Sequence, residues 1–242
     1  MISTSNKASK ILLGFSLAIS LFSSSAYGKK VSVTVQNLTH GSHFTPLLIA
    51  AHNESSKLFQ AATAASAHLQ AMAEGGDTKG LIADLDAAGA VHTSATALLA
   101  PGESYTGDML DITNSDNNTL SLVGMLLPTN DGFVGVSSWR IPSTPGTYIL
   151  PGLAYDAGTE ANDELLGLAD AGTPGNAGVP GAPSGSAGMN GSGAAEVDTN
   201  RKIHIHRGVL GDTDSTGGTS DFDSRVHRWL NPVARITVTV TE

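Results

Sequence analysis

The sequence contains no cysteine. That excludes a disulfide framework, a thiolate zinc site, an iron–sulfur cluster and a lipid anchor on cysteine. Positive charge is scarce: 13 lysines and arginines against 22 aspartates and glutamates give a net charge of −9. A nucleic-acid binder needs a basic patch to replace the counterions on phosphates. An anionic membrane surface repels an acidic chain for the same reason. Neither is expected as a partner. Charged residues make up only 14% and aromatics 5%, yet the apolar share of 40% is too high for a fully disordered chain. After Gly28 no stretch is long and apolar enough to cross a bilayer. At 242 residues the chain suits one domain that buries its core without covalent staples.

Residues 1–28 read as a secretory signal peptide. Lys7 and Lys10 supply a positive start, an apolar run follows from Ile11 to Phe22, and small residues close it. Ala26 and Gly28 fit the small positions before a cleavage site at Lys29. The apolar run is shorter than the ~20 residues needed to span a bilayer, so cleavage is expected, not anchoring. Cleavage removes two lysines and no acid, which takes the net charge from −9 to −11. The expected product is a single domain over residues 29–242, secreted to the periplasm, cell surface or exterior.

Strand signals dominate that domain. Val31, Val33 and Val35 alternate with Ser32, Thr34 and Gln36 at its start; Ile236, Val238 and Val240 alternate with threonines at its end. Alternation of β-branched residues predicts strands that each bury one face. Further strands are expected over residues 47–51, 104–110, 119–127, 147–155 and 202–206. One helix is expected: Leu58, Ala62, Ala65, Leu69 and Met72 form an apolar stripe. Asn53, Ser55 and Ser56 offer caps, and Gly75-Gly76 a stop. A weaker helical turn covers residues 79–87. Glycine recurs every third residue from Gly172 to Gly181 and again from Gly185 to Gly191. These interrupted triplets cannot sustain a collagen helix, so residues 171–193 read as a flexible surface insertion. The predicted class is all-β, an antiparallel β-sandwich.

Acidic residues gather at two loops. One carries Asp131 between Asn130 and Gly132; the other carries Asp156, Glu160, Asp163 and Glu164. Calcium takes ~6–8 hard oxygens in a forgiving geometry. A loop bent at Gly158 can converge Asp156 and Glu160, with Asp131 as a third acid from a neighbouring strand end. Three converging carboxylates resist full ionisation without a cation. A solvated acidic loop is the other reading of the same residues.

Several stretches occur in a telling order. Pro128-Thr129-Asn130-Asp131-Gly132-Phe133-Val134-Gly135-Val136 matches a Pro-Ser-Pro-Asp-Trp-type loop followed by Val-Gly-Val. Asp156-Ala157-Gly158-Thr159-Glu160 matches an Asp-Ala-Gly-Thr-Asp signature, and Pro232-Val233-Ala234-Arg235-Ile236 a Pro-x-Ala-Arg-hydrophobic strand. In these stretches the sequence resembles the spondin N-terminal domain family, found in the matrix proteins F-spondin and mindin and in secreted bacterial proteins. The resemblance spans residues 31–241, interrupted by the glycine-rich segment. It implies an eight-stranded antiparallel β-sandwich similar to calcium-dependent lipid-binding domains, with one calcium ion at one end. Carried over residue by residue, it implies Asp131, Asp156 and Glu160 as the metal ligands. Two departures bear on the site: Glu160 replaces the second aspartate of the signature, and Gly132 replaces the tryptophan after the first aspartate.

Outside these loops, His204-Ile205-His206 places two imidazoles on one strand face, a pattern that can bind zinc or copper. His227 is a candidate third ligand. The other reading is a pair of histidines packed beside Arg201, Lys202 and Arg207. No nucleophile elbow, His-Glu-x-x-His helix or phosphate-binding glycine loop is present. The expectation is a secreted, monomeric, non-enzymatic, calcium-binding adhesion or recognition module whose partner is a surface protein or glycan. The alternative is a transition-metal-dependent enzyme or redox protein built on His204 and His206.

Overall fold

The computed structural model describes residues 1, 28–113, 115–185, 190–194 and 199–242. Residues 2–27 of the expected leader and residues 186–189 of the glycine-rich segment lie outside the described residues. In chain order the elements are β1 (Lys30–Asn37), β2 (His43–Phe44), β3 (Leu48–His52), α1 (Ala67–Gly75), α2 (Lys79–Ala87), β4 (Val91–Ser94), β5 (Ser104–Thr106), β6 (Leu110–Asp111), β7 (Thr119–Leu127), β8 (Gly132–Arg140), β9 (Gly146–Asp156), β10 (His204–Ile205) and β11 (Ala234–Thr241).

All the strand pairs are antiparallel and form one curled sheet in the order β4-β3-β7-β8-β9-β11-β1-β5. The expected sandwich-like all-β class is what the chain adopts. The strand number differs: among the described residues eleven strands occur where eight were expected, because β10, β2 and β6, each two residues long, attach beside the eight-strand path. The helix number differs too, since residues 79–87 make a full α2.

The two terminal strands pair with each other. β1 runs against β11 with Val31, Val33 and Val35 opposite Val240, Val238 and Ile236. All six are buried, so the alternation seen in both segments is one shared inner face. The curl is made by β9. Its first part, Gly146 to Gly152, pairs with β11, and its last part, Leu153 to Asp156, pairs with β8. Gly152 sits at this changeover. A Cβ there would lie 2.7 Å from Ala234 Cβ and 3.3 Å from Val134 Cγ2, so the two halves close together only over a hydrogen atom.

β7 is buried along its whole length. Leu120, Leu122 and Leu126 enter the core between the sheet halves, with Ile236, Val238 and Phe44. Val123, Met125 and Leu127 face the other way, under Leu69, Met72, Leu81 and Leu85 of the helices. A strand buried on both faces reads as a continuous apolar run, which residues 122–127 show with Gly124 as the one gap.

The helix α1 starts later than its apolar stripe suggests. Ser66 caps it: its hydroxyl accepts the Leu69 backbone N–H at 3.1 Å. Upstream, Ala62 has φ 65°, and residues 62 and 63 exchange backbone hydrogen bonds with Ile203. That strand-like bridge outcompetes the helical turn. Asn53 does not cap α1; its carboxamide oxygen accepts the backbone N–H groups of Ser55 and Ser56 in a local turn.

Among the described residues no helix is long and apolar enough to cross a membrane. The glycine-rich segment reaches the core through Val179, which is buried and bridges Leu166.

Candidate metal centre

One row of the sheet builds the site. Gly132 of β8 lies opposite Asp156 of β9, and Asp156 lies opposite His204 of β10. Asp131 therefore enters from the β7–β8 turn directly beside the end of β9. The turn is held by Thr129, whose hydroxyl donates to the Leu126 carbonyl at 2.6 Å and accepts the Gly132 N–H at 3.0 Å. The position after Asp131 has no space for a side chain: a Cβ on Gly132 would lie 2.7 Å from Thr129 Oγ1 and 3.0 Å from His206 Cδ2. Bulk next to the site comes instead from Phe133, stacked on Tyr155 at 5.6 Å and edge-on to Phe59 at 5.0 Å.

Asp131 is fully buried. Its Oδ2 accepts the Thr159 N–H at 2.7 Å, the Thr159 hydroxyl at 3.1 Å and the Glu160 N–H at 3.0 Å. Its Oδ1 is buried with no hydrogen-bond partner. Burial, with the Asp156 charge next, pushes the Asp131 carboxyl up to about 7, against the three donors that pull it down. Asp156 is equally enclosed, with Oδ1 accepting the Gly158 N–H at 2.8 Å and Oδ2 the Asn162 carboxamide at 2.7 Å. Gly158 has φ 71° and a Cβ there would lie 2.7 Å from the Lys202 nitrogen, so the signature turn requires glycine.

Glu160 contributes differently. Its backbone N–H serves Asp131, while its buried side chain meets Asn130, whose carboxamide donates at 3.4 Å. Its Oε1 is buried without a hydrogen-bond partner. Burial first, then the charge of Glu74, pushes the Glu160 carboxyl up to about 8. The carboxyl borders a cleft of about 220 Å³ shared with Asn130, Thr159, Asp163, Gly175 and Arg201.

Thus Asp131 and Asp156 come together, and Glu160 joins them through its backbone while its carboxylate faces Glu74. Among the described residues no three His, Asp or Glu side chains converge as a ready-made metal cage. The donor chemistry nevertheless suits a hard cation: carboxylate oxygens, one of them fully buried and unpartnered, in a loop pair rich in backbone carbonyls. Of the three acids, Asp131 and Asp156 are the ones that would hold calcium there, with the Glu160 carboxylate at the edge beside Asn130 and Glu74.

The histidines divide. His204 Nε2 lies 3.7 Å from Asp156 Oδ2 and belongs to the row of the site. His206 Nδ1 accepts the Gly208 N–H at 3.0 Å, and His227 Nδ1 accepts the Asp223 N–H at 3.1 Å. In a neutral ring the hydrogen then sits on Nε2, the wrong tautomer for an Nε2 metal ligand. The three histidines form no metal cluster.

Glu74 is the neighbour that sequence reasoning missed. It is buried and accepts from Gln70 at 2.8 Å and from the Gly175 N–H at 3.2 Å. Its signal was an acid in the last turn of a helix, where the helix dipole disfavours negative charge.

The family model described as Spondin_N matches residues 20–164, more than half of the chain. The match holds all three acids and ends before the glycine-rich segment and the Pro232–Ile236 stretch. No curated protein matches the chain. The chain belongs to the spondin N-terminal domain family.

Proposed function

We propose that this spondin-like extracellular module is a calcium-binding, non-enzymatic recognition or adhesion domain, exported to the cell surface or its surroundings. The observation that carries the reading is Asp131: a fully buried carboxylate, one oxygen without a partner, beside a second buried carboxylate. Such a pair favours either a proton or a cation. Calcium bound by Asp131 and Asp156, with Glu160 at the edge, stabilises the two loops at one end of the sandwich and presents their outer surface to a protein or glycan. The acidic surface makes a polyanionic partner unfavourable.

Thermal unfolding tests the reading. Millimolar calcium is expected to raise the melting temperature of the wild-type chain relative to chelator, as mass action requires for a ligand of the folded state. Asp156→Ala is expected to abolish the shift. A wild-type melting curve unchanged by excess calcium refutes the calcium reading and leaves the fold untouched.

A further inference from the structure

The change of partners along β9 leaves part of that strand with an open edge. Gly152 and Ala154 turn their carbonyls to the Val233 and His206 N–H groups, on the β11 and β10 side. The odd-numbered residues between and before them therefore turn to the β8 side. Leu153 and Tyr155 meet β8 there, but β8 leaves β9 beyond the pair of Gly135 with Leu153. It bends away at a register shift against β7, where Ser138 has φ 49°. The N–H groups of Thr147 and Ile149 and the carbonyls of Thr147, Ile149 and Pro151 then face a side on which, among the described residues, no strand is paired. Pro151, which has no N–H, stands where a sheet tolerates proline, on an edge.

Natural sheets blunt open edges with charged side chains or cover them. β9 has no charged residue before Asp156, and Ile149 at the middle of the edge is 58% exposed. Apolar hollows adjoin it. A cleft of about 230 Å³ opens where the strands part, between Val136 and Trp139 of β8 and Leu153 and Tyr155 of β9. A groove of about 430 Å³ lies over the outer face, lined by Leu38, Ile149, Pro151, Pro232 and Arg235. A strand added to the edge sends alternate side chains to opposite faces, one set toward each hollow. Arg235 stands in register with Pro151, is exposed, and forms no ion pair among the described residues. A free cation at the rim of an apolar groove selects an acidic group on whatever fills it.

We propose that the edge of β9 over residues 147–151 binds an extended apolar peptide of a partner protein by strand addition, with an acidic residue of that peptide on Arg235. Backbone pairing supplies affinity, and the two hollows select the side chains. The proposal gives the recognition role a class of partner; it rests on that role and not on the cation reading.

Fluorescence anisotropy in chelator tests this with a labelled panel of blocked heptapeptides, each with glutamate at both ends and varied apolar residues between. Members of the panel are expected to bind. N-methylation of one alternate set of backbone nitrogens in the best binder is expected to weaken it ~10-fold or more, because each methyl removes a ladder hydrogen bond. Ile149→Pro removes an edge N–H without touching the β11 side, and a similar loss is expected. Arg235→Gln is expected to weaken binding ~2–5-fold and to lessen its salt dependence; it keeps the test open should Ile149→Pro lose the fold. Binding by no member of the panel overturns the proposal. Undiminished binding after N-methylation of either set overturns it as well, since apolar adhesion needs no ladder, and so does unchanged affinity in both variants. Dimers of the chain that Ile149→Pro dissociates overturn it in favour of a second copy on the edge. None of these results bears on the calcium-dependent melting shift, so the two readings fail separately.

Discussion

Replacing Asp131 by asparagine removes a buried charge and keeps the shape. The carboxyl is raised from 3.8 to about 7. At about 1.36 kcal/mol per tenfold change in proton affinity, the ionised form costs ~4 kcal/mol more in the fold than in the open chain. The sign follows from which state holds the proton. The folded chain binds it more tightly than the unfolded chain, so ion-free stability falls as pH rises from 3.8 through about 7 and is flat above. Asparagine still accepts the Thr159 and Glu160 N–H groups through Oδ1, and its amide takes the place of the unpartnered oxygen. It forfeits the charge-assisted strength of those bonds, roughly 1–2 kcal/mol. The net expectation for Asp131→Asn in chelator at pH 8 is a gain of ~2–3 kcal/mol, or ~5–10 °C in melting temperature for a domain of this size. Near pH 3.5 the gain disappears, because both side chains are then neutral. Urea unfolding across pH 3.5–8 measures all of this. A variant less stable than wild type at pH 8 in chelator, or a gain that does not change with pH, refutes the account of Asp131 as a strained charge.

Two further substitutions probe the frame around the site. His227 is buried, and burial holds its imidazole below the ordinary 6.5, opposed by the charges of Asp223 and Glu164 and reinforced by His43. A lowered folded value means that the unfolded chain takes the proton more readily, so this contribution is intact above pH 6.5 and is lost as pH falls below it. His227→Gln, which can still accept the Asp223 N–H, is expected to flatten that acid limb; unfolding curves at pH 5 and 7 that move in parallel with wild type contradict it. Ser66→Ala removes the hydroxyl that accepts Leu69 N–H and is expected to cost ~1 kcal/mol, or ~2–4 °C. A melting temperature within half a degree of wild type would show that α1 is held by packing alone.

How far the chain was legible follows from what each segment depends on. β1 and β11 were readable because their alternation is local and the burial of one face enforces it. The loops of Asp131 and Asp156 were readable because the turn residues Thr129, Gly132 and Gly158 stand next to the acids in sequence. The start of α1 was not. Leu58 is buried beside Phe59 in a non-helical loop, so its place in a helical stripe was coincidental, and the bridge to Ile203 lies 140 residues away in the chain. His204 was legible as half of an H-x-H pair but not as a neighbour of Asp156, since only the register of β9 and β10 makes that contact. Glu74 was hidden among the buried residues of α1.

The glutamate that replaces the second signature aspartate gains its meaning from Glu74. A shorter side chain at residue 160 would stay near Asp131, whose Oδ2 already receives the Glu160 N–H. The extra methylene instead carries the carboxylate toward Asn130, the Gly178 backbone and Glu74. Glu74 is in turn tied to the Gly175 N–H, and Gly75 leaves no room for a Cβ, which would lie 2.0 Å from the Gly172 oxygen. The glycine-rich segment therefore packs against α1 at the point where two buried acids meet. Two like charges in one enclosed space raise each other's proton affinity unless a cation or donor intervenes, and the Gly175 and Gly178 backbones are the donors at hand. The longer acid thus couples the cation loops to a segment that lies beyond the family match, and the end of the sandwich that holds the site is also the end that anchors the insertion.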